Sequence, residues 1–476
     1  MPFAITQTCC TDASCVAACP VNCIHPTPDE PDFGTTDMLF VDPRTCIDCG
    51  ACADACPVDA VFPAETLSGP YPEINAAYYA DEPLAPVSGP TFHRWGQPAF
   101  DRVLPAGFPV LDVAVVGTGP AGMYAVQDLL LHTPARVTVY DRLTEPGGLI
   151  RFGVAPDHPS TKKIGEAFAR HHGHERVRMR LGVEVGRDVT VEDLAARHDA
   201  VIYAVGASES RSLGIPGEER TLPGPTVVGW YNGHPEVPAG AVDLSGERAV
   251  VVGNGNVALD IARILTTDPA DLADTSIPRA VQERLRTGSV REVVLLARRG
   301  PESAAYTRSE LLAVTSSLVV DDADPRVGKT IDSAAPGEHA ALLQGVRRER
   351  IDWSAPVGVE RRIVLRFHSA PEEVTESAVR TADADIPTGL VVRAIGHRGR
   401  PLPGLPFADG IVPNEKGRVS PGTYVVGWIK RGSTGGIGAN RTDAAETVGA
   451  LIADATAGTL APRRRGSLLR RSLLRR

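Results

Sequence analysis

Residues 110–131, VLDVAVVGTGPAGMYAVQDLLL, contain the pattern that decides the fold class. An apolar strand runs into a turn in which Gly117, Gly119 and Gly122 follow the spacing G-x-G-x-x-G, and a helical pattern comes next. Glycines at this spacing permit a tight turn, close approach of a pyrophosphate and close packing of the helix on the strand. Nineteen residues past Gly122, the strand VTVYD ends in Asp141, where a carboxylate can hold a ribose hydroxyl. The stretch therefore predicts a dinucleotide-binding α/β domain.

The same arrangement occurs again in RAVVVGNGNVALDIARIL, whose turn carries Gly253, Gly255 and Ala258 at the fingerprint spacing. The next strand, REVVLLARRG, ends in Arg298 and Arg299 instead of an acid. A guanidinium binds a ribose 2′-phosphate through charge-assisted, bidentate hydrogen bonds. The second turn therefore favours NADP(H) over NAD(H), and the acid after the first turn suits FAD. The alternative for the two arginines is a solvated strand end.

The cysteines form a separate module at the N-terminal end, because all nine lie between Cys9 and Cys56. Cys46, Cys49, Cys52 and Cys56 follow the spacing C-x2-C-x2-C-x3-C and precede a proline. In bacterial ferredoxins this run supplies three ligands to one iron–sulfur cluster and a fourth ligand to another. Such clustering indicates metal binding in a reducing compartment, with a zinc site as the alternative.

A less regular set of cysteines precedes this run and comprises Cys9, Cys10, Cys15, Cys19 and Cys23. Aligning Cys19 with Cys56 relates the two halves by 37 residues and sets Asp12 opposite Cys49. The halves together resemble a duplicated two-cluster ferredoxin. That resemblance implies a [4Fe–4S] cluster held by Cys19, Cys46, Cys49 and Cys52. It also implies a second cluster held by Cys9, Cys15 and Cys56.

Asp12 makes the second cluster site unusual, because a hard carboxylate is a poorer ligand than a thiolate for cluster iron. We expect a [3Fe–4S] cluster there, or a [4Fe–4S] cluster that readily loses one iron. Two roles stay open for Cys10, which can replace Cys9 or supply the missing ligand. Cys23 is expected to be a free thiol packed beside a cluster.

Composition and charge exclude several other classes of protein. The chain has 476 residues, of which 43% are apolar and 22% charged, so about three folded domains are expected and wholesale disorder is not. Residues 1–85 contain thirteen Asp and Glu and one basic residue, Arg44, which argues against nucleic acid as a partner of this module. No long apolar run and no leader pattern occur, so we expect a soluble, cytoplasmic protein without a membrane span.

Two further stretches, PGGLIRFGVAPDHP (146–159) and YVVGWIKRGSTGGIGANRTDAAETV (424–448), lead to a family. With them, residues 110–460 resemble adrenodoxin-reductase-type ferredoxin–NADP reductases, and the whole chain resembles the bacterial fusion of a ferredoxin with such a reductase. The resemblance implies an α+β ferredoxin-like domain and an α/β reductase in which an NADP domain is inserted into an FAD domain. The implied bounds are 1–85 for the ferredoxin, 86–108 for a linker, 109–206 and 396–462 for the FAD domain, 207–395 for the NADP domain and 463–476 for a basic, disordered tail.

The resemblance also implies the residues that bind the cofactors. For FAD these are Gly117, Gly119, Pro120, Ala121, Gly122, Asp141, Gly148, Leu149, Val154, Trp428, Gly435, Gly436, Ile437 and Gly438. For NADP(H) they are Gly253, Gly255, Asn256, Val257, Ala258, Arg298 and Arg299. His158, Glu310 and Trp428 are the candidate catalytic residues, and the last two are also expected to contact cofactor. The structural alternatives are a core aromatic for Trp428, a structural histidine for His158 and a solvated carboxylate for Glu310.

The activity implied by the resemblance is that of a ferredoxin–NADP(+) reductase. FAD takes a hydride from NADPH and passes single electrons to the clusters of its own module, to an external ferredoxin or to a cytochrome P450 system. The acidic module is expected to dock on basic residues such as Lys430 and Arg431, or on the tail. The alternatives are an electron-input subunit of the glutamate-synthase type and a flavin-deficient iron–sulfur carrier, the latter because the C-terminal third is shorter than in the family.

Overall fold

The computed structural model describes residues 2–80, 104–314, 317–335 and 337–460. Most of the expected linker 86–108 and all of the expected tail 463–476 lie outside the described residues. The described chain forms two compact units, the first from the ranges 1–92, 149–164 and 208–397, and the second from 93–148, 165–207 and 398–476. Among the described residues, no helix is both long and apolar enough to cross a lipid bilayer.

Residues 2–80 form the cysteine module, in which a duplication is visible in the backbone. Its elements are β1 (Phe3–Ile5), α1 (Ser14–Ala18), β2 (Ile24–His25), β3 (Phe40–Val41), α2 (Ala51–Ala55), β4 (Val61–Pro63) and α3 (Tyr71–Tyr78). Strand β1 pairs antiparallel with β4, and β2 pairs antiparallel with β3. Helices α1 and α2 begin and end 37 residues apart, and each follows a left-handed residue, Ala13 at φ 60° and Gly50 at φ 74°.

Residues 104–207 alternate strands with helices. The elements are β5 (Asp112–Val116), α4 (Pro120–His132), β6 (Arg136–Asp141), α5 (Leu149–Phe152), α6 (Pro159–Lys162), α7 (Ile164–His172), β7 (Val177–Leu181), α8 (Val191–Arg197) and β8 (Ala200–Tyr203). All side chains of β8 and four of the five in β5 are buried, as expected for strands covered on both faces.

Residues 208–397 form a second set of α/β elements. They are β9 (Glu209–Ser210), β10 (Leu222–Pro223), α9 (Gly224–Tyr231), β11 (Arg248–Val252), α10 (Asn256–Thr266), α11 (Arg279–Thr287), β12 (Glu292–Leu296), α12 (Arg308–Leu312), β13 (Leu318–Asp321), α13 (Pro325–Ser333), β14 (Arg347–Glu349), β15 (Arg362–Arg366), β16 (Pro371–Val374), β17 (Ala378–Thr381), β18 (Asp385–Pro387), β19 (Leu390–Arg393) and β20 (His397–Arg398). Its seven-stranded sheet has the order β10-β19-β11-β12-β15-β13-β14, and its strand pairs are parallel.

The remaining elements are β21 (Arg418–Ser420), β22 (Thr423–Val425), α14 (Trp428–Arg431) and α15 (Ala439–Thr456). Strand β22 returns to β8, which gives a six-stranded sheet of order β21-β22-β8-β5-β6-β7. Helix α15 packs against α4 in this unit. Each unit therefore contains one largely parallel sheet, and each of the two glycine turns follows a central strand, β5 or β11, where ligands of open α/β sheets bind.

Candidate functional site

At two positions, the first glycine turn, between β5 and α4, has no room for a side chain. A Cβ on Gly117, whose φ is +112°, would lie 2.4 Å from the Ala204 carbonyl oxygen, and one on Gly122 would lie 2.0 Å from the Gly117 carbonyl oxygen. Nothing lies within 4 Å of the Cβ position of Gly119, so this part of the turn faces open space. The backbone therefore provides the cradle that a dinucleotide pyrophosphate requires.

Asp141, at the end of β6, accepts hydrogen bonds that stabilise the first turn. Its Oδ2 accepts hydrogen bonds from the amide of Thr118 at 2.8 Å and from Thr118 Oγ1 at 2.6 Å, and its Oδ1 accepts from the amide of Leu143 at 2.9 Å. Because a carboxylate has about four acceptor positions, these three bonds orient the group and leave room for a ribose hydroxyl. Pro120 and Ala121 open α4 directly behind this turn.

The second turn, between β11 and α10, repeats the close packing of the first. A Cβ on Gly253, whose φ is +125°, would lie 2.3 Å from the Ala394 carbonyl oxygen. Asn256 begins α10, and its Oδ1 accepts a hydrogen bond from the Thr307 amide at 2.8 Å. Val257 and Ala258 follow Asn256 in that helix, and Gly255 is its N-cap. The turn therefore fits a second dinucleotide.

Arg298 and Arg299 lie just beyond the end of β12, which is a direct neighbour of β11 in the sheet. Both side chains are exposed. Two accessible guanidinium groups at this position fit a 2′-phosphate, which is recognised by charge-assisted hydrogen bonds. Neither residue is needed for packing of the strand.

Trp428 opens α14 immediately after Gly427, where φ is +79° and a Cβ would lie 2.6 Å from the Ala121 Cβ. The indole Nε1 donates to the carbonyl oxygens of Thr434 at 3.1 Å and Gly435 at 3.3 Å. The half-buried ring is thereby held against the start of the glycine loop 435–438. Such an anchored aromatic plane is suited to contact with a flat cofactor ring.

The glycine loop is supported by a polar network that also bears on one expectation. Asn440 Nδ2 donates to the carbonyl oxygens of Gly436 and Ile437, and Gly438 caps α15. Lys430 is buried and pairs with Asp443 and Glu446, both at 2.6 Å, and Arg431 Nη1 pairs with Asp443 at 2.8 Å. Carboxylates of their own unit therefore pair with both cations, and burial of Lys430 argues against a role for it in docking. The basic tail, the other expected docking site, lies outside the described residues.

The segment after the first turn contains three more of the residues predicted to bind FAD. Gly148 has φ +50°, and a Cβ there would lie 2.7 Å from Gly119 Cα. Leu149 begins α5, and its side chain is 46% exposed, so it is accessible to a ligand. Val154 lies after the same helix and is half-buried.

Arg263, on α10, organises the strongest charge cluster of the first unit. The guanidinium donates to Asp157 Oδ2 at 2.8 Å and Oδ1 at 3.1 Å, to Asp260 at 2.7 Å and to Glu310 at 3.4 Å. It also contacts His158 Nε2 at 2.9 Å. Because a guanidinium only donates, a hydrogen bond at this contact has His158 Nε2 as its acceptor.

Burial sets the protonation of this cluster. It lowers the pKa of His158, and the positive charge of Arg263 adds to that effect. Burial and the charge of Asp260 together raise the pKa of Glu310 to about 8, against the opposing effect of Arg263. Ligand atoms of His158, Asp260 and Glu310 lie within 4.8 Å of one another, which would fit a metal ion, but the Arg263 guanidinium already supplies the cation.

Sequence reasoning identified His158 and Glu310 but missed Asp157, Asp260 and Arg263. Asp260 and Arg263 are three residues apart on α10, a spacing that places them on one helix face and could have indicated them. Asp157 lies 106 residues before Arg263, so its ion pair could not be found from local spacing. Glu310 is not the solvated carboxylate of the alternative interpretation, since its side chain is 19% exposed.

The cysteines expected to hold the second cluster, together with Cys10, line a cavity in the module. The cavity is lined by side chains that include Cys9, Cys10, Asp12, Cys15 and Cys56. Burial raises the pKa of Cys9 to about 11, and the negative charge of Cys56 raises it as well. Asp12 accepts hydrogen bonds from Ser14 Oγ at 2.5 Å and from the Ser14 amide at 3.2 Å. Soft sulfur donors around a cavity fit an iron–sulfur cluster.

The other set, expected to hold the [4Fe–4S] cluster, comprises Cys19, Cys46, Cys49 and Cys52. Burial raises the pKa of Cys52 to about 11, and the charges of Cys19 and Cys46 contribute. Cys23 Sγ lies 3.4 Å from Cys19 Sγ, and their hydrogen bond lowers the pKa of Cys19 to about 5. Cys49 is exposed at the start of the same run. The thiol donors of this set fit an iron–sulfur cluster, and Cys23 lies beside one of them, Cys19.

Comparison with known protein families defines the class of protein. Residues 111–299 match the family model described as pyridine nucleotide-disulphide oxidoreductase, and residues 8–60 match the 4Fe-4S dicluster domain. The chain is thus a nucleotide-dependent oxidoreductase of flavoprotein type, preceded by an iron–sulfur dicluster module.

Relatives identify the particular family. A probable ferredoxin/ferredoxin–NADP reductase of Mycobacterium bovis is 45% identical over 496 residues, which cover 97% of this chain and 85% of the relative. Human mitochondrial NADPH:adrenodoxin oxidoreductase is 38% identical and covers 73% of this chain and 79% of its own. The solved structure of Mycobacterium tuberculosis FprA in complex with NADPH has a TM-score of 0.67 at 40% identity and covers 74% of this chain and 87% of its own. The chain belongs to the ferredoxin/ferredoxin–NADP reductase family, which confirms the predicted fold class and enzyme class.

Proposed function

We propose that this reductase uses NADPH as its electron donor and its own ferredoxin module as the first acceptor, from which a separate ferredoxin or a cytochrome P450 system receives electrons. The observation that carries the proposal is the combination, in one chain, of exposed Arg298 and Arg299 beyond the second turn with two sets of converging thiols. Bound FAD supplies the conversion between two-electron hydride chemistry and one-electron cluster chemistry.

The residues of the site bind and orient the reactants in this proposal. The turns at Gly117 and Gly253 hold the two diphosphates, and Trp428 offers an aromatic face to the flavin. Arg263 keeps Asp157 ionised, since its hydrogen bonds and charge lower the pKa of this carboxyl against the opposing effect of burial. Glu310, with a pKa of about 8, holds a proton at neutral pH and can donate it in a hydrogen bond. No side chain needs to act as a nucleophile.

A stopped-flow experiment on the anaerobic holoprotein tests the order of transfer. NADPH should bleach the flavin absorption first and the broad cluster absorption afterwards, within the same molecule and independently of protein concentration. Bleaching of flavin without any reduction of the clusters would remove the module from the electron path. A concentration-dependent second phase would assign cluster reduction to collisions between molecules.

For the clusters we propose a [4Fe–4S] cluster on Cys19, Cys46, Cys49 and Cys52, and a [3Fe–4S] or labile [4Fe–4S] cluster on Cys9, Cys15 and Cys56. The proposal depends on Asp12, because a carboxylate is a weak ligand for the fourth iron. Low-temperature EPR before and after addition of ferrous iron is the test. The Asp12→Cys variant should give a second [4Fe–4S] signal without added iron. An unchanged spectrum in that variant would assign the fourth position to another residue, with Cys10 as the candidate.

We also propose a cytoplasmic location. Nine free cysteines are present in the described module, and a reducing compartment keeps such thiols available as cluster ligands. Fractionation of cells followed by immunodetection tests this, and recovery from a membrane or secreted fraction would contradict it.

A further inference from the structure

Hydrogen bonds from backbone amides fix the conformation of the loop that follows Cys56 in the module. The Ala60 amide donates to Cys56 Sγ at 3.2 Å, and the Thr6 amide closes the loop from β1 by donating to the Ala60 carbonyl oxygen at 2.8 Å. Asp59 lies within this loop with φ at 47°, and its side chain is 48% exposed. A carboxylate is thus fixed at the surface three residues beyond a cluster ligand.

The duplication provides a matched loop in the other half of the module. There the Cys23 amide donates to Cys19 Sγ at 3.4 Å, and Asn22 takes the left-handed position with φ at 52°. Asn22 and Asp59 are 37 residues apart and occupy equivalent places in the repeat. The two loops therefore share a backbone conformation, but only the loop after Cys56 carries a charge at this position.

The charged loop is the one that contacts the reductase part of the first unit, defined as residues 149–164 and 208–397. Asp59 forms an ion pair with Lys163, which directly follows α6 and is 50% exposed. A second acidic residue of the module, Asp37, accepts a hydrogen bond from the Arg308 amide at 2.7 Å. Both contacts set a carboxylate of the module against a donor of the reductase part.

An electrostatic effect of Glu310 on Tyr71 agrees with these two contacts. Tyr71, at the start of α3, has a raised pKa because it is partly buried and because the negative charge of Glu310 lies nearby. Glu310 and Arg308 belong to the same short helix, α12. The contact surface therefore combines Lys163 with α12, and α12 carries a residue of the Arg263 cluster.

Charge complementarity supports an orienting role for these contacts. Residues 1–85 contain thirteen Asp and Glu, and the single basic residue, Arg44, pairs with Asp42 at 2.9 Å. Half-exposed ion pairs between complementary surfaces fix orientation more than they add affinity, and salt weakens them. Such contacts allow the module to dock and release.

We propose that Lys163 and α12 form the docking site for the ferredoxin module of this same chain, and that the module docks through the loop after Cys56. Docking then presents the set of Cys9, Cys15 and Cys56 to the reductase part. In the other set, Cys49 is exposed, and neighbouring Ile47 is 57% exposed. The role of this docking in electron transfer rests on the proposed function, whereas the contact itself does not.

Chemical cross-linking of the full-length holoprotein tests the contact. A carbodiimide condenses a carboxylate with an amine, with loss of water, and mass spectrometry identifies the linked peptides. We expect an Asp59–Lys163 link at low salt whose yield falls several-fold at ~1 M salt. The Asp59→Asn variant should lose the link, and the matched Asn22→Asp variant should keep it. Links from Asp48 or Asp54, beside the other cysteine set, in place of Asp59 would overturn the proposal.

Kinetics of the same variants test what the contact does. In Lys163→Glu, NADPH should reduce the flavin at the parental rate, and cluster reduction should slow by tenfold or more. Combining Lys163→Glu with Asp59→Lys should restore it, because the ion pair is rebuilt in reverse. An unchanged rate of cluster reduction in Lys163→Glu would overturn the proposal. If clusters stay oxidised in the parent protein as well, the proposed function fails, and the cross-link still decides the docking.

Discussion

Arg263 is the residue on which most of the candidate catalytic cluster depends. It is 8% exposed and holds Asp157, Asp260, Glu310 and His158 through hydrogen bonds from one guanidinium. A neutral His158 and a protonated Glu310 reduce the charge that this buried cluster carries at neutral pH. Removing one partner from a buried ion pair is destabilising by about 3–5 kcal/mol, because the other charge stays buried without compensation.

Glu310 provides a prediction on stability and pH. Its pKa rises from the ordinary 4.5 to about 8 on folding, so the folded state binds the proton more tightly than the unfolded state. The proton therefore stabilises the fold below pH 4.5, and this contribution is lost as the pH rises through 8. Relative to Glu310→Gln, the parent should lose several degrees in melting temperature between pH 5 and pH 8.5. Differential scanning calorimetry across that range is the measurement, and a constant difference would contradict the assignment.

Arg298 provides a prediction on cofactor selectivity. Its exposed guanidinium is expected to bind the 2′-phosphate, and a hydrogen bond to a charged group contributes about 1.5–3 kcal/mol. Arg298→Ala should therefore raise the KM for NADPH by about 10- to 100-fold and leave the KM for NADH unchanged. Exposed Arg187 of the second unit offers a control, since Arg187→Ala should change neither value. An unaltered preference for NADPH in Arg298→Ala would show that this strand end is not the phosphate site.

At the scale of elements, different glycines of the first turn serve packing of the protein and binding of the ligand. Gly117 and Gly122 are required by contacts inside the protein, whereas Gly119 has open space at its Cβ position and a φ of −67°. An alanine at 119 is therefore compatible with the fold but projects towards the space that the pyrophosphate needs.

Gly119→Ala should accordingly retain the circular dichroism of the parent and bind FAD at least tenfold more weakly. The reason is steric, because the backbone can no longer approach the phosphate oxygens. Gly173→Ala, which also meets nothing within 4 Å, serves as the control and should keep its flavin. Full flavin content in Gly119→Ala, measured by absorbance of the purified protein, would contradict the turn assignment.

Local patterns predicted the two strand–turn–helix units and the cysteine module, but not the contacts between distant segments. The strand–turn–helix units at Gly117 and Gly253 are visible in sequence because glycine spacing and strand hydrophobicity are local properties. The four-residue helix α6 and the five-residue α12 have no such pattern. The contacts of Lys163 and Arg263 join segments about a hundred residues apart, so only the tertiary structure reveals them.

At the scale of the molecule, the proposed docking contact uses a different cation from those expected. Composition alone indicated an acidic module that needs a basic surface, and Lys430 and Arg431 lay in a conspicuous motif. The structure pairs those two cations with Asp443 within their own unit, and Asp59 of the module meets Lys163 instead. Net charge therefore indicated a contact between acidic and basic residues, but it could not show which cations already pair with carboxylates of their own unit.

The central claim is that one polypeptide carries electrons from NADPH through a bound flavin to its own iron–sulfur clusters. Anaerobic titration of the purified holoprotein with NADPH, followed by absorbance and EPR, tests it most directly. We predict that each flavin consumes more than one equivalent of NADPH, because a flavin alone accepts only one hydride and the clusters take up further electrons. A protein without flavin, or a titration that ends at one equivalent with every cluster oxidised, would contradict the account.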